Sequence, residues 1–210
     1  MERIIEPQCL QLAVMASGRG SNFAAIQEAI ENGQLNAQIK ILISDKEYAQ
    51  ALKIAEQAGI TACFIDPRKF NDKAAYETEI VKKLHENNVD ILVLAGFMRL
   101  VGPVLLNAFP RRILNIHPAL LPSFPGLHAQ RQAVDYGVKF SGCTVHLVDD
   151  GVDTGLIIAQ AVVPVLPDDN EDTLAERILV EEHRLYPQVL QWIAAGKVFI
   201  DGSRSIVKDC

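Results

Sequence analysis

The chain has no surplus of positive charge. Among its 210 residues, 20 Lys and Arg face 26 Asp and Glu, a formal net charge of −6. The basic surface from which nucleic-acid binders draw most of their affinity is therefore missing, although one phosphate can still be held locally. Cysteine is scarce: Cys9, Cys63, Cys143 and Cys210 lie far apart with no CxxC pair. That spacing offers no disulfide or metal framework and fits reduced thiols. No apolar run approaches the ~18–20 residues that span a bilayer. The opening residues MERIIEPQ lack the basic region and apolar run of a secretory leader. Repeats, low-complexity tracts and linkers are also lacking. These absences set the expectation of a single-domain cytoplasmic protein with no nucleic-acid or membrane partner. What remains is an ordinary globular composition, 49% hydrophobic and 22% charged, enough for one large α/β domain with a sizeable core.

Apolar runs alternate with amphipathic stretches along most of the chain. Leu10–Ser17, Ile39–Ser44, Thr61–Ile65 and Ile91–Ala95 read as strands. Asn22–Asn32, Tyr48–Ala58 and Lys73–Asn87 read as helices, with Gly33 and Gly59 ending the first two. The run ILVLA is short and wholly apolar, as a strand covered on both faces should be. Strands separated by helices of this length imply right-handed crossovers and a mostly parallel twisted sheet with helices on both faces. After Arg112 the texture changes. A strand at Ile113–His117 enters a proline-rich loop and a helix near Gln130–Tyr136. Strand-like runs Ser141–Val148 and Ile157–Val165 follow, then a long helix over Thr173–Ala195 and a short strand at Val198–Ile200. In the loop, Leu121-Pro122 is a candidate cis bond, since such bonds are nearly confined to X–Pro.

Three segments carry chemistry. The turn Ser17-Gly18-Arg19-Gly20-Ser21-Asn22 joins the first strand to the first helix, where free N–H groups and the helix dipole favour an anion. A dinucleotide fingerprint would want a small residue where Phe23 stands, and no Gly-Lys-Ser/Thr follows. Two readings stay open: a site for a single phosphomonoester, or a tight turn capped by Ser21 or Asn22. In Asn115-Ile116-His117-Pro118 the amide and imidazole alternate on one strand face, roughly 6–7 Å apart at ~3.3 Å per residue. Polar side chains at two positions of one face are costly in a buried strand, and ligands of open parallel sheets bind at strand carboxyl ends. The third segment is Asp149-Asp150-Gly151-Val152-Asp153-Thr154-Gly155. It is no calcium loop, because Gln160 stands where an EF-hand needs a bidentate Glu. Cys143 and His146 invite a thiol-nucleophile reading, but three apart on a strand they point to opposite faces. His85 and His183 read as solvated surface residues, and His128 as either a rim residue of the site or a surface one.

In order and spacing, SGRGSN, LAGFMRLV, NIHPALLPSFPG and GCTVHLVDDGVDTG resemble the phosphoribosylglycinamide formyltransferases, the folate-dependent enzymes of purine biosynthesis. The resemblance runs from about Leu10 to Trp192. It implies a formyltransferase domain over about 10–200, with a phosphate-binding half to about 110 and a folate and catalytic half beyond. Residues 1–9 then form an extension and 201–210 a tail. The resemblance further implies catalytic Asn115, His117 and Asp153, and a ribotide site of Gly20, Ser21, Asn22 and Glu182. It implies a folate slot of Met98, Arg99, Leu100, Val101, Asn115 and the loop Asp149, Asp150, Gly151, Val152 and Asp153. A basic residue early in the charged helix also meets folate in that family, often Arg; here it is Lys73. Other departures are Ala119 where Ser is common and Leu147 where Phe is common.

On this reading 10-formyltetrahydrofolate is the co-substrate and phosphoribosylglycinamide the acceptor, with no metal required. Asn115 and a protonated His117 stabilise the oxyanion, and Asp153 orients His117 and favours its charged form. A monomer and a weak homodimer are both compatible with the sequence. The same residues also resemble methionyl-tRNA formyltransferase, expected to carry a basic C-terminal domain, and formyltetrahydrofolate hydrolase, expected to carry a regulatory N-terminal one. A dinucleotide oxidoreductase or a noncatalytic nucleotide sensor would leave Asn115, His117 and Asp153 without a task.

Overall fold

The computed structural model describes residues 1–208; Cys210 and the end of the expected tail lie outside the described residues. In chain order the elements are Glu2–Arg3 (β1), Leu10–Met15 (β2), Ser21–Glu31 (α1), Ala37–Ser44 (β3), Gln50–Gln57 (α2), Thr61–Phe64 (β4), Lys73–Glu86 (α3), Ile91–Leu94 (β5), Pro103–Ala108 (α4), Ile113–His117 (β6), Ala129–Tyr136 (α5), Phe140–Leu147 (β7), Ile157–Pro164 (β8), Glu171–Ala194 (α6), Val198–Asp201 (β9) and Arg204–Val207 (β10). Seven strands form one sheet in the order β4-β3-β2-β5-β6-β7-β8. Pairing is parallel from β4 through β6 and antiparallel at β6–β7 and β7–β8.

The alternation of side chains along each strand divides the core into two layers. On β2, Leu10, Leu12 and Val14 join the layer under α1, α2, α5 and α6, whereas Ala13 and Met15 face α3 and α4. On β5, Ile91 and Val93 point one way, Leu92 and Leu94 the other. Both faces are covered, which is why these strands read as unbroken apolar runs. From β2 the chain winds outward to β3 and β4; β5 and β6 lie on its other side. The carboxyl ends of β2 and β5 therefore flank the topological switch point, the usual crevice for a ligand.

Four elements differ from the sequence expectation. Helix α4 is only six residues long, too short to show a period, and its cap comes from elsewhere in the chain. The Gly102 and Leu105 N–H groups donate to the buried carboxylate of Glu77 on α3. Helix α6 begins two residues earlier than expected because Asn170 accepts the Asp172 and Thr173 N–H groups while Thr173 Oγ1 accepts the Asn170 N–H, a reciprocal capping box. The flanks read as extension and tail contain strands: β1 and β10 both pair antiparallel with β9 in a separate three-stranded sheet. Among the described residues no helix is long and apolar enough to cross a membrane.

Candidate active site

Strand β6 presents Asn115 and His117 on the face it shares with Ile113, at the sheet's carboxyl edge. Strand β7 runs antiparallel beside it, with His146 opposite Asn115 and Thr144 opposite His117. Thr144 Oγ1 donates to the Ala119 carbonyl at 2.7 Å and accepts the Leu121 N–H at 3.1 Å. Gln160 on β8 donates to the Leu121 carbonyl at 2.9 Å. These bonds pin the proline loop, whose Leu121–Pro122 bond is cis, and the pinned loop brings Phe124 and Gly126 back over the two polar side chains.

Asp153 reaches the same point from the loop between β7 and β8. Its Oδ2 lies 3.2 Å from His117 Nδ1 and accepts the Gly126 N–H at 2.8 Å. Its Oδ1 lies 3.5 Å from Asn115 Nδ2. Asp153 and Phe124 both hold left-handed backbone, φ 54° and 55°, a conformation that non-glycine residues adopt at a cost and that clusters at functional sites. Asp149 braces the loop: its Oδ1 accepts the Thr154 hydroxyl at 2.8 Å and the Gly151 N–H at 3.2 Å.

His117 is 4% exposed. Its Nε2 faces the Phe124 carbonyl at 2.8 Å, so that nitrogen carries a hydrogen. Burial, the largest influence, pulls the ring below the ordinary imidazole value, although the Phe124 carbonyl and the Asp153 carboxylate push it up. Asp153 thus favours the charged ring, but burial outweighs it and the net shift is downward. For Asp153, burial alone would raise the carboxyl. The His146 side chain, the Gly126 N–H and the charge of His117 outweigh it and hold the group below its usual range.

His146, absent from the sequence-derived site, belongs to this cluster. It is buried; Nδ1 meets the Leu147 carbonyl at 2.9 Å, which makes that nitrogen the donor. Nε2 lies 3.2 Å from Asn115 Nδ2 and 3.6 Å from Asp153 Oδ1. The signal in the sequence was a histidine at the right alternation on the neighbouring strand, with Cys143 on the opposite, core face. Only the register β6–β7 turns that alternation into contact.

A cavity of about 510 Å³ opens onto the cluster. Of the predicted folate residues, Met98, Arg99, Leu100, Val101, Asn115, Asp149, Gly151, Val152 and Asp153 line it, as do Phe97, Gly126 and His146. Met98 and Leu100 are 66% and 63% exposed, an apolar mouth over a polar floor. His128 is on the rim, exposed and 3.3 Å from Glu171. Asp150 and Lys73 are not in the lining; the Lys73 ammonium sits 3.8 Å from Glu77. His85 is exposed, as expected, whereas His183 is partly buried with an unpartnered Nε2.

The glycine turn forms a second cluster beside the switch point. Gly20 adopts φ 78°, and a Cβ there would approach Ala51 to 2.8 Å, so glycine is demanded twice over. Gly20 itself occupies the cap position and no side chain caps α1. The capping roles considered for Ser21 and Asn22 are thus not observed, and the first N–H groups of the helix lack a side-chain acceptor. Asn22 instead turns inward: its Nδ2 donates to Glu182 Oε2 at 2.7 Å, and its buried Oδ1 has no partner. Burial pushes the Glu182 carboxyl up, against the Asn22 hydrogen bond and the nearby Arg19 charge. Among the described residues no group of three or more His, Cys, Asp or Glu is arranged to hold a metal ion.

A crevice at the switch point, with a glycine turn on one side and an amide, imidazole and carboxylate on the other, stands in a chain whose residues 10–190 match one family profile, that of the formyl transferases; the chain belongs to that family. Within it, the chain is 38% identical over 202 residues to phosphoribosylglycinamide formyltransferase of Escherichia coli, covering 93% of this chain and 95% of that protein. It is 41% identical to the trifunctional purine biosynthetic protein adenosine-3 of Drosophila melanogaster, covering 95% of this chain but spanning only 15% of that longer protein's length. The crystal structure of glycinamide ribonucleotide transformylase 1 from Symbiobacterium toebii superposes with a TM-score of 0.94 at 46% identity, covering 95% of this chain and 94% of that one.

Proposed function

We propose that this chain transfers the formyl group of 10-formyltetrahydrofolate to the amine of 5-phosphoribosylglycinamide, a step of purine biosynthesis, as a cytoplasmic enzyme that needs no metal. The observation that carries the reading is the convergence of Asn115, His117 and Asp153 at the floor of one cavity beside the uncapped glycine turn. The cavity suits a flat, partly apolar folate: exposed Met98 and Leu100 at the mouth, residues 97–101, 149 and 151–153 along the walls. The unpartnered Asn22 Oδ1 and the free N–H groups of α1 suit a phosphorylated ribose.

The folate supplies an activated formyl group; the protein supplies position and charge. A bond forms between the amine nitrogen and the formyl carbon, and the bond from that carbon to the folate nitrogen breaks. One proton leaves the amine and one reaches the folate nitrogen. The Asn115 amide, whose hydrogens face His146 Nε2 and Asp153 Oδ1, turns one of them to the developing oxyanion on this reading. His117 Nε2–H is committed to the Phe124 carbonyl, so the Nδ1 side, facing Asp153, is where the ring gains or loses a proton. Asp153 then orients the ring and stabilises the imidazolium when it forms. Glu182 acts through Asn22, and Asp149 through the loop it braces.

Formylation of a panel of amines, with hydrolysis of formyl folate by water as the control, tests the reading. Phosphoribosylglycinamide is the preferred acceptor on this account. Hydrolysis alone, or preference for a charged tRNA, would show that another folate reaction is carried by the same residues.

A further inference from the structure

The loops leaving β2 and β5 lie side by side, and one side chain ties them together. Parallel pairing of these strands ends at Met15 and Leu94, yet the chains do not separate there. The Ala95 N–H donates to the Met15 carbonyl at 2.9 Å and the Ser17 N–H to the Gly96 carbonyl at 3.0 Å. The next rung uses a side chain: the Met98 N–H donates to Ser17 Oγ at 3.0 Å, and that hydroxyl donates to Asp45 Oδ1 at 2.7 Å. Asp45 directly follows β3 and is 6% exposed. A hydroxyl has one hydrogen. Once it is given to an acceptor-only carboxylate, only lone pairs face Met98, so Asp45 holds Ser17 in the state the Met98 N–H requires. On its other side the turn is anchored by the Ala51 N–H, which donates to the Gly18 carbonyl at 3.2 Å. Neither Ser17 nor Asp45 has a task in the formyl-transfer chemistry described above.

We propose that Ser17, locked by Asp45, is a positioning residue that couples the ribotide turn to the folate slot. A phosphate seated on the first N–H groups of α1 fixes residues 18–20, the fixed turn holds Ser17 Oγ, and Ser17 Oγ holds the Met98 N–H at the edge of the slot. The inference rests on the functional reading given above. Coupling of this kind is reciprocal: ribotide tightens folate by the same factor as folate tightens ribotide.

Tetrahydrofolate lacks the formyl group, so with phosphoribosylglycinamide it forms a ternary complex that cannot turn over, and calorimetric titration of the full chain reads both affinities. In the unsubstituted protein tetrahydrofolate binds at least about fivefold tighter when ribotide is saturating, with the same factor in the reverse titration. In Ser17→Ala and Asp45→Ala the factor falls below about twofold while each ligand still binds alone. Asp45→Asn, whose amide oxygen accepts the same hydroxyl hydrogen, keeps it. Equal affinity with and without ribotide in the unsubstituted chain, or an undiminished factor in Ser17→Ala, overturns the coupling and leaves the functional reading standing. A chain that binds neither ligand and transfers no formyl group overturns that reading and the coupling with it.

Discussion

Asp153 touches more of the site than any other side chain, meeting His117, Asn115, His146 and the Gly126 N–H. Asp153→Asn is the informative substitution because asparagine tolerates left-handed backbone and retains one acceptor while losing the charge. Turnover is expected to fall roughly 10²–10³-fold with the thermal midpoint little changed; steady-state kinetics alongside calorimetry check both. A variant with near-normal rates would remove Asp153 from the chemistry. The carboxylate also sets the titration of its neighbour. Burial lowers His117 and Asp153 raises it, so in the unliganded protein the ring should titrate below the ordinary 6.5, and lower still in Asp153→Asn. NMR titration of the His117 ring proton reads both. A midpoint above 6.5, or an upward move in the variant, contradicts the assignment. Of these residues Asn115, His117 and Asp153 were legible from strand alternation and the family resemblance. His146 was not, because one imidazole on a buried strand has no meaning until its cross-strand partner is known.

At the scale of elements, the site is built from strand ends and loops and braced by helices, of which α5 reaches the lining through Ala129 and Gln130. Tyr186 on α6 is wholly buried and donates toward the Leu94 and Leu114 carbonyls at 3.1 and 3.0 Å, tying that helix to both β5 and β6. One turn earlier, Glu182 holds Asn22 at the start of α1. A single helix thus ties the glycine turn to strands β5 and β6. Its start depends on the Asn170 cap. Asn170→Ala should lower stability by about 1 kcal/mol without changing turnover, since no residue of that cap touches the cavity; denaturant unfolding and initial rates test the two halves of the statement. Helices with a clear period were readable to within a residue or two. Helix α4 was not, because its N-terminus is satisfied by Glu77, 25 residues away in sequence from Gly102, and no local pattern announces such a partner.

For the whole molecule, the seven-stranded sheet carries the candidate site, and the small sheet of β1, β9 and β10 packs at its edge, with Val198 and Ile200 joining its core. They meet where the Ser205 hydroxyl donates to the Ile157 carbonyl at 2.6 Å, at the start of β8. Removing residues 203–210 should cost about 1–2 kcal/mol, roughly 2–8 °C in thermal midpoint, and leave formyl transfer measurable, because Asn115, His117 and Asp153 all hang on the larger sheet. Loss of all activity in a folded truncation would mean that the small sheet helps to hold the loop carrying Asp153.

What the amino-acid order determines by itself is the pattern of burial. Continuous apolar runs demand a sheet covered on both faces, glycine turns end the helices, and two polar residues alternating on one strand mark a place where burial must be offset. Contacts made by parts of the chain far apart in sequence belong to the tertiary structure alone: His146 beside Asn115, Glu77 capping α4, Ser17 receiving Met98. So does the protonation preference of His117. Its charge balance depends on how deeply the ring is buried against how near Asp153 comes, and both are distances through space that no spacing along the chain records.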